Sequence, residues 1–174
     1  RVHVLFRPLR KLARRREDFR AALVCSRWGG QRETVHQLIR HYGVGDRVEV
    51  FEALDREQVN SVLNRSKCNL LLSLKEGSNR SLFEAMFAGT PVILLDENRG
   101  VNREYINEKT GYVVPEATLS EALLRMAESF QDFRPREWAM ENISPEVTTR
   151  KLSLTLQEAC PTDEGYDDLL IKTN

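Results

Sequence analysis

The sequence predicts an α/β domain in which a parallel sheet carries helices on both faces. Three observations support that class. Short apolar runs alternate with longer segments in which apolar residues recur at helical spacing. The runs are apolar at consecutive positions, as in Leu70, Leu71 and Leu72, which suits strands buried on both sides. Polar or glycine-bearing loops follow the predicted strands, at 27–30, 52–55, 75–81 and 96–102. Parallel sheets bind ligands beyond the carboxyl ends of their strands, so a site is expected at those loops.

Each element follows from local pattern. Residues 2–16 place Val2, Leu5, Leu9 and Leu12 on one helical stripe, with Pro8 expected to weaken or kink it. A strand over 21–26 ends at the turn Arg27-Trp28-Gly29-Gly30. A helix over 32–42 runs through Val35, Leu38 and Ile39 and stops at Gly43 or Gly45. The second strand is 47–51, and Asp55 is placed to cap a helix through Val59, Val62 and Leu63. A third strand is expected over 69–74, a helix near 81–88 and a strand at 92–95. A short helix near 103–106, a small strand at 111–114 and helices over 119–130, 135–141 and 145–158 complete the pattern. No internal repeat is visible. Beyond Pro161 the apolar periodicity fades, and the acidic stretch 161–174 is expected to be a flexible tail.

The composition narrows the function classes. A chain of 174 residues has the length of one domain with a real core. Hydrophobic residues make up 41% and charged residues 30%, the balance of an ordinary globular protein. Lys+Arg and Asp+Glu both number 26, which removes any global electrostatic case for nucleic acid. The imbalance is local: Arg7, Arg10, Lys11, Arg14, Arg15 and Arg16 crowd the first helix, which reads first as a solvated basic face and second as a surface for an anionic partner. Cys25, Cys68 and Cys160 form neither a disulfide framework nor a metal-ligand spacing, and His3, His36 and His41 add none. Cys25 and Cys68 adjoin apolar runs and are expected to act as small buried hydrophobes. No apolar run reaches membrane-spanning length, no signal peptide is visible, and a cytoplasmic setting is expected. The chain opens on Arg1, already in a helical pattern, and is expected to be a piece of a longer protein.

The most informative segment is 75–91. Its strand delivers Glu76 to the ligand-facing rim, a polar loop of Gly77, Ser78, Asn79 and Arg80 follows, and a helix begins near Ser81. Unpaired N–H groups at a helix start, with the helix dipole, suit a phosphate or a sugar hydroxyl. Gly77 lets a ligand approach the backbone. Glu84 falls within the apolar run 82–88, where an ionised carboxylate needs partners. A local alternative stays open: Ser81-Leu82-Phe83-Glu84 also fits a capping box, in which Glu84 ties back to the Ser81 backbone. Glu76 taken alone is an ordinary loop carboxylate and Arg80 a surface charge.

These words resemble the Glu-x7-Glu signature of retaining GT-B glycosyltransferases, especially the group known as family 4. That pattern is a strand, Glu-Gly, a short loop, then Glu-Ala-Met-Ala-x-Gly-x-Pro-Val. Here it stands as Glu76-Gly77 and Glu84-Ala85-Met86-Phe87-Ala88-Gly89-Thr90-Pro91-Val92-Ile93. Gly43-Val44-Gly45-Asp46-Arg47-Val48 and Gly111-Tyr112-Val113-Val114 are similar to further family elements, so the likeness runs over 1–158. It implies a Rossmann-like sheet that is one half of a GT-B fold, with 1–160 as the nucleotide-sugar-binding C-terminal domain and its first strand missing. It also implies a hexosyltransferase-like enzyme moving a sugar, with retention, from a UDP- or GDP-sugar to an acceptor, without a required metal or other cofactor. Glu76 would face the transferred sugar as the catalytic residue, and Glu84 would hold the ribose hydroxyls. Gly77, Ser78, Asn79, Arg80 and Ser81 would cradle sugar hydroxyls and the distal phosphate, and the base would lie near Arg27, Phe51 and Leu54. The implied partners are the donor and an N-terminal acceptor-binding domain of the same enzyme, through which peripheral membrane contact is expected, and the isolated chain is expected to be inactive.

The chain departs from the family pattern in two places. The Arg and Lys-Gly pair that clamp the diphosphate would precede Arg1, and the loop reads Ser78-Asn79-Arg80-Ser81 in place of a Phe-Gly-containing form. A nucleotide-sugar epimerase on the same fold and a non-catalytic glycosyltransferase module are the alternatives. A response-regulator receiver would need acidic residues after the first strand, where Cys25-Ser26-Arg27 stand.

Overall fold

The computed structural model describes residues 1–25, 31–77 and 79–159. Helix α1 (His3–Ala13) precedes strand β1 (Ala21–Cys25), α2 (Gln31–Tyr42), β2 (Val48–Glu52) and α3 (Arg56–Asn64). Then come β3 (Asn69–Leu71), α4 (Arg80–Phe87), β4 (Val92–Leu95), β5 (Gly111–Val114), α5 (Leu119–Ser129), α6 (Pro135–Ile143) and α7 (Pro145–Ala159). Every strand pair is parallel, as expected: β1 with β2, and β3 with β4 with β5. The expected tail 161–174 lies outside the described residues.

Strand β4 shows why both faces must be covered. Its side chains alternate between two cores, and all four residues are buried. Ile93 and Leu95 enter a cluster with Phe6, Leu9 and Leu12 of α1, Val35 and Ile39 of α2, and Leu119, Leu123 and Met126 of α5. Val92 and Leu94 enter the other cluster, with Leu82, Ala85 and Met86 of α4 and Ala139 of α6. A period-2 strand with no polar residue has one stable place, between two helical layers.

Local chemistry explains most boundaries. Pro8 sits buried within α1, which runs unbroken through it from His3 to Ala13. An interior proline costs a helix about 3 kcal/mol. Val4, Leu5, Phe6, Leu9 and Leu12 are buried around it, and each buried apolar side chain contributes about 1.5–3 kcal/mol, which offsets that cost. Asp55 caps α3 through a full capping box: its side chain accepts from the Gln58 N–H at 2.8 Å, and Gln58 accepts from the Asp55 N–H at 3.0 Å. The ladder of β3 stops at Leu71, three residues short of the expected end, and Leu74 is exposed. On the basic face of α1 Lys11 pairs with Glu121, and ahead of the helix Arg1 pairs with Glu97 and Glu116. Helix α7 buries no residue and leaves Leu152 and Leu154 exposed.

Between the two strand groups runs a groove of about 1320 Å3, lined by β1, by Phe51 and Leu54, by α3, by Cys68, and by Asn69 and Leu70 of β3. Among the described residues neither β1 nor β3 has a second strand partner on the groove side. Burial pushes the Cys68 thiol up to about 12, so this cysteine behaves as the small hydrophobe its position suggests.

Candidate functional site

The start of α4 sets the geometry of the site. Its cap is Asn79, whose side-chain oxygen accepts from the Leu82 N–H at 3.0 Å. The capping box starting at Ser81 is therefore not formed. With Asn79 as the cap, Ser81 is the second helical residue and Glu84 the fifth, too far along to reach the cap backbone. Glu84 is not in an apolar environment either. Its side chain is 47% exposed, and it pairs with Arg80, one helical turn earlier, at 3.9 Å. An exposed pair at that distance contributes little to stability, on the order of 0–1 kcal/mol. The amide of Asn69, at the start of β3, donates to Ser81 Oγ at 2.9 Å and to its carbonyl at 3.0 Å, fastening this first turn to the sheet.

Glu76 is half-buried at the rim beyond β3 and lines a pocket of about 420 Å3 with Ser73, Asn79, Arg80 and Ser81. Although the ladder has ended, the chain here is held again by the loop after β4. Lys75 bridges Arg99 in parallel register, the Arg99 N–H donates to the Leu74 carbonyl at 2.8 Å, and the Glu76 N–H donates to the Arg99 carbonyl at 3.0 Å. Nothing lies within 4 Å of where a Cβ on Gly77 would stand, so packing among the described residues does not demand glycine there.

Arg80 and Ser81 also line the larger groove, together with Glu84, Phe51 and Leu54. The structure thus brings seven of the expected residues to one continuous surface: Glu76, Asn79, Arg80, Ser81, Glu84, Phe51 and Leu54. Between Phe51 and Leu54 the chain turns through Ala53, whose φ is +53° and whose N–H donates to the Cys25 carbonyl at 3.0 Å. A non-glycine residue in the left-handed region is an uncommon feature that clusters at ligand loops. Arg27 and Ser78 lie outside the described residues.

Sequence reasoning passed over Ser73, Asn98 and Gly100, although it singled out the loop 96–102. Asn98 is 4% exposed, and its amide donates to the Ser73 carbonyl at 2.8 Å. Among the described residues no group of three or more His, Cys, Asp or Glu side chains is arranged to hold a metal ion, and no helix is long and apolar enough to cross a membrane.

Comparison with known proteins adds fold and family. The backbone is similar to sucrose-phosphate synthase from Thermosynechococcus elongatus, with a TM-score of 0.73 and 23% identity over 91% of this chain and 42% of that one. It is similar to a glycosyltransferase from Rickettsia africae ESF-5, with a TM-score of 0.73 and 20% identity over 90% of this chain and 44% of the other. It is also similar to Anabaena Alr3699/HepE in complex with UDP, with a TM-score of 0.70 and 20% identity, again over 90% and 44%. The chain therefore spans less than half the length of each of these proteins. No curated protein matches it in sequence. The fold is that of a GT-B glycosyltransferase domain. Residues 1–139 match the family described as glycosyl transferases group 1, and the chain belongs to that family.

Proposed function

We propose that this chain is the donor-binding half of an enzyme that moves a sugar from a nucleotide diphosphate sugar to an acceptor hydroxyl. The observation that carries this reading is the shared rim. Glu76 and Glu84 stand on either side of the α4 start and open onto adjoining hollows joined through Arg80 and Ser81. A diphosphate needs donors where Arg80 and the first helical amides stand. A ribose needs a carboxylate to accept from its two hydroxyls, and exposed Glu84 supplies one. The apolar wall of Phe51 and Leu54 suits a base. Glu76, at the other end, faces the sugar.

In the transfer itself the bond from the sugar's anomeric carbon to the diphosphate oxygen breaks, and a bond to the acceptor oxygen forms as that hydroxyl gives its proton to the departing diphosphate. Positive charge grows on the sugar ring and negative charge on the departing diphosphate. On this reading Glu76 stabilises the first through its carboxylate or orients the sugar hydroxyls. Arg80 and the α4 amides stabilise the second, a preorganised electrostatic role. Retention, a hexose as the transferred group and independence from divalent metal are part of the proposal. A uridine nucleotide is the first base to try, because HepE is in complex with UDP. We assign the acceptor wall to a second domain, and the stretch of the groove flanked by β1 and β3 to an extended strand entering α1, leaving its Phe51, Leu54 and Glu84 end to the donor.

Calorimetric titration of this chain with UDP-, GDP- and ADP-sugars tests the reading, repeated with EDTA. The expected result is saturable binding of one base series, unchanged by chelation. No binding of any series refutes donor recognition, and loss on chelation refutes metal independence. Acceptor-dependent nucleotide release is expected only when the chain is joined to its second domain, because pockets between domains need both walls. A nucleotide-sugar epimerase is the second reading, and conversion of the donor into its epimer without acceptor and without net nucleotide release favours it.

A further inference from the structure

We infer that the loop 96–102 is a positioning device for Glu76, and that Gly100 and Asn98 are its positioning residues. The inference rests on the donor-binding reading for what Glu76 does, and on geometry alone for what holds Glu76. Strand β3 leaves its ladder at Leu71, five residues before Glu76, so β3 itself does not fix the rim. The loop does so by four hydrogen bonds. The Arg99 rung takes both the Leu74 carbonyl and the Glu76 N–H, at 2.8 and 3.0 Å. Buried Asn98 donates to the Ser73 carbonyl at 2.8 Å and to Ser73 Oγ at 3.3 Å, while its own oxygen accepts from the Val101 N–H at 3.3 Å. A buried amide with donor and acceptor both used locks the loop against the segment it touches.

Gly100 closes the device. Its φ is +110°, and a Cβ there would stand 1.8 Å from the Glu76 carbonyl oxygen and 2.9 Å from the carbonyl carbon. Ordinary contacts lie near 3.5 Å, so any side chain must push the Glu76 peptide away by roughly an ångström or more. The obstruction is backbone on both sides and cannot rotate aside. Misplacing a reacting group by about 1 Å is enough to cost on the order of a hundredfold in rate. Gly77, by contrast, has open space beside it, so the glycine that the fold requires near Glu76 comes from the neighbouring loop.

The test uses this chain with Gly100→Ala, Asn98→Ala and Asn98→Asp, the last keeping the acceptor for Val101 but losing the donor to Ser73. Amide hydrogen exchange is followed at Glu76 and Arg99, with Leu82 and Thr90 of the α4 region as controls. Calorimetry compares UDP, GDP or ADP, whichever binds, with UDP-glucose, GDP-mannose or ADP-glucose. In all three variants, exchange at Glu76 and Arg99 is expected to rise about tenfold or more with the controls unchanged. Nucleoside diphosphate affinity is expected to stay within about twofold while the gain from the attached sugar disappears. Unchanged exchange at Glu76 overturns the inference. So does an equal loss of affinity for both ligands with faster exchange at the controls, since that is general loosening. If the parent binds no nucleotide while Glu76 exchange rises as stated, the hold on Glu76 stands and the donor reading is the part refuted. Should Gly100→Ala fail to fold, the two Asn98 variants decide.

Discussion

The two strand groups are built to different standards. In β4 every residue from Val92 to Leu95 is at most 1% exposed, and the strand is gripped by helices on both sides and by a strand on each edge. In β1 only Leu23 is buried, at 8%, and Val24 is 41% exposed beside the groove, where the proposed strand entering α1 would cover it. Glu76 and the α4 turn are fastened to the first group, and Phe51 and Leu54 belong to the second. A reacting centre requires placement to a fraction of an ångström, whereas a flat base tolerates an apolar wall that adjusts. The covered group holds Glu76 and the α4 turn, and the group beside the groove holds Phe51 and Leu54.

The comparison breaks most visibly in the core. Leu94→Ala removes a fully buried side chain, and the loss is expected to be about 2–5 kcal/mol, read from denaturant unfolding followed by circular dichroism. Val24→Ala is expected within about 0.5 kcal/mol of the parent in the same measurement. Similar losses at both positions would contradict the contrast. The next effect lies at the turn between the halves. Asn79→Ala removes the α4 cap and is expected to cost about 1 kcal/mol, whereas Ser81→Ala, which is no cap, is expected to cost less, limited to its bond with Asn69.

The smallest effect is with acid. Asp18 is held below the ordinary carboxylate range by its bond from Arg16, Glu33 by Arg40, Glu121 by Lys11, and Glu146 by its own backbone N–H. A carboxylate depressed in the folded state contributes stability above its unfolded value, near 4, and loses it as pH falls through the lower folded value. All four are exposed. Melting temperature is therefore expected to fall only slightly between pH 5 and about pH 3 on their account, and less in high salt. A steep, salt-insensitive fall would point to buried carboxylates instead.

Much of this was legible in the sequence because it is local. Consecutive apolar residues in β4, the Asp55-x-x-Gln58 box and the alternation of element types each sit within a short window. The failures are informative too. The start of α4 was misplaced by one residue because Asn79 and Ser81 are both good caps, and only the backbone decides which one turns the chain. The reach of β3 was overestimated because Leu72 and Leu74 continue an apolar run whose ladder has already stopped. Nothing in the sequence placed Gly100 against Glu76. The two lie 24 positions apart and meet only through the fold, and the glycine is needed by a carbonyl it does not neighbour in the chain.

On the proposed reading Glu84 serves a ligand and not the fold. Thermal unfolding of the parent, Glu84→Ala and Asn79→Ala, each with and without saturating nucleoside diphosphate, tests it directly. Glu84 is exposed and caps nothing, so Glu84→Ala is expected to melt within about 0.5 kcal/mol of the parent. The ligand-induced rise in melting temperature is expected to vanish in Glu84→Ala and to persist in Asn79→Ala from its lower starting point. A Glu84→Ala protein that melts early yet keeps the full ligand-induced rise would show the reverse, a structural carboxylate on a surface that binds its nucleotide elsewhere.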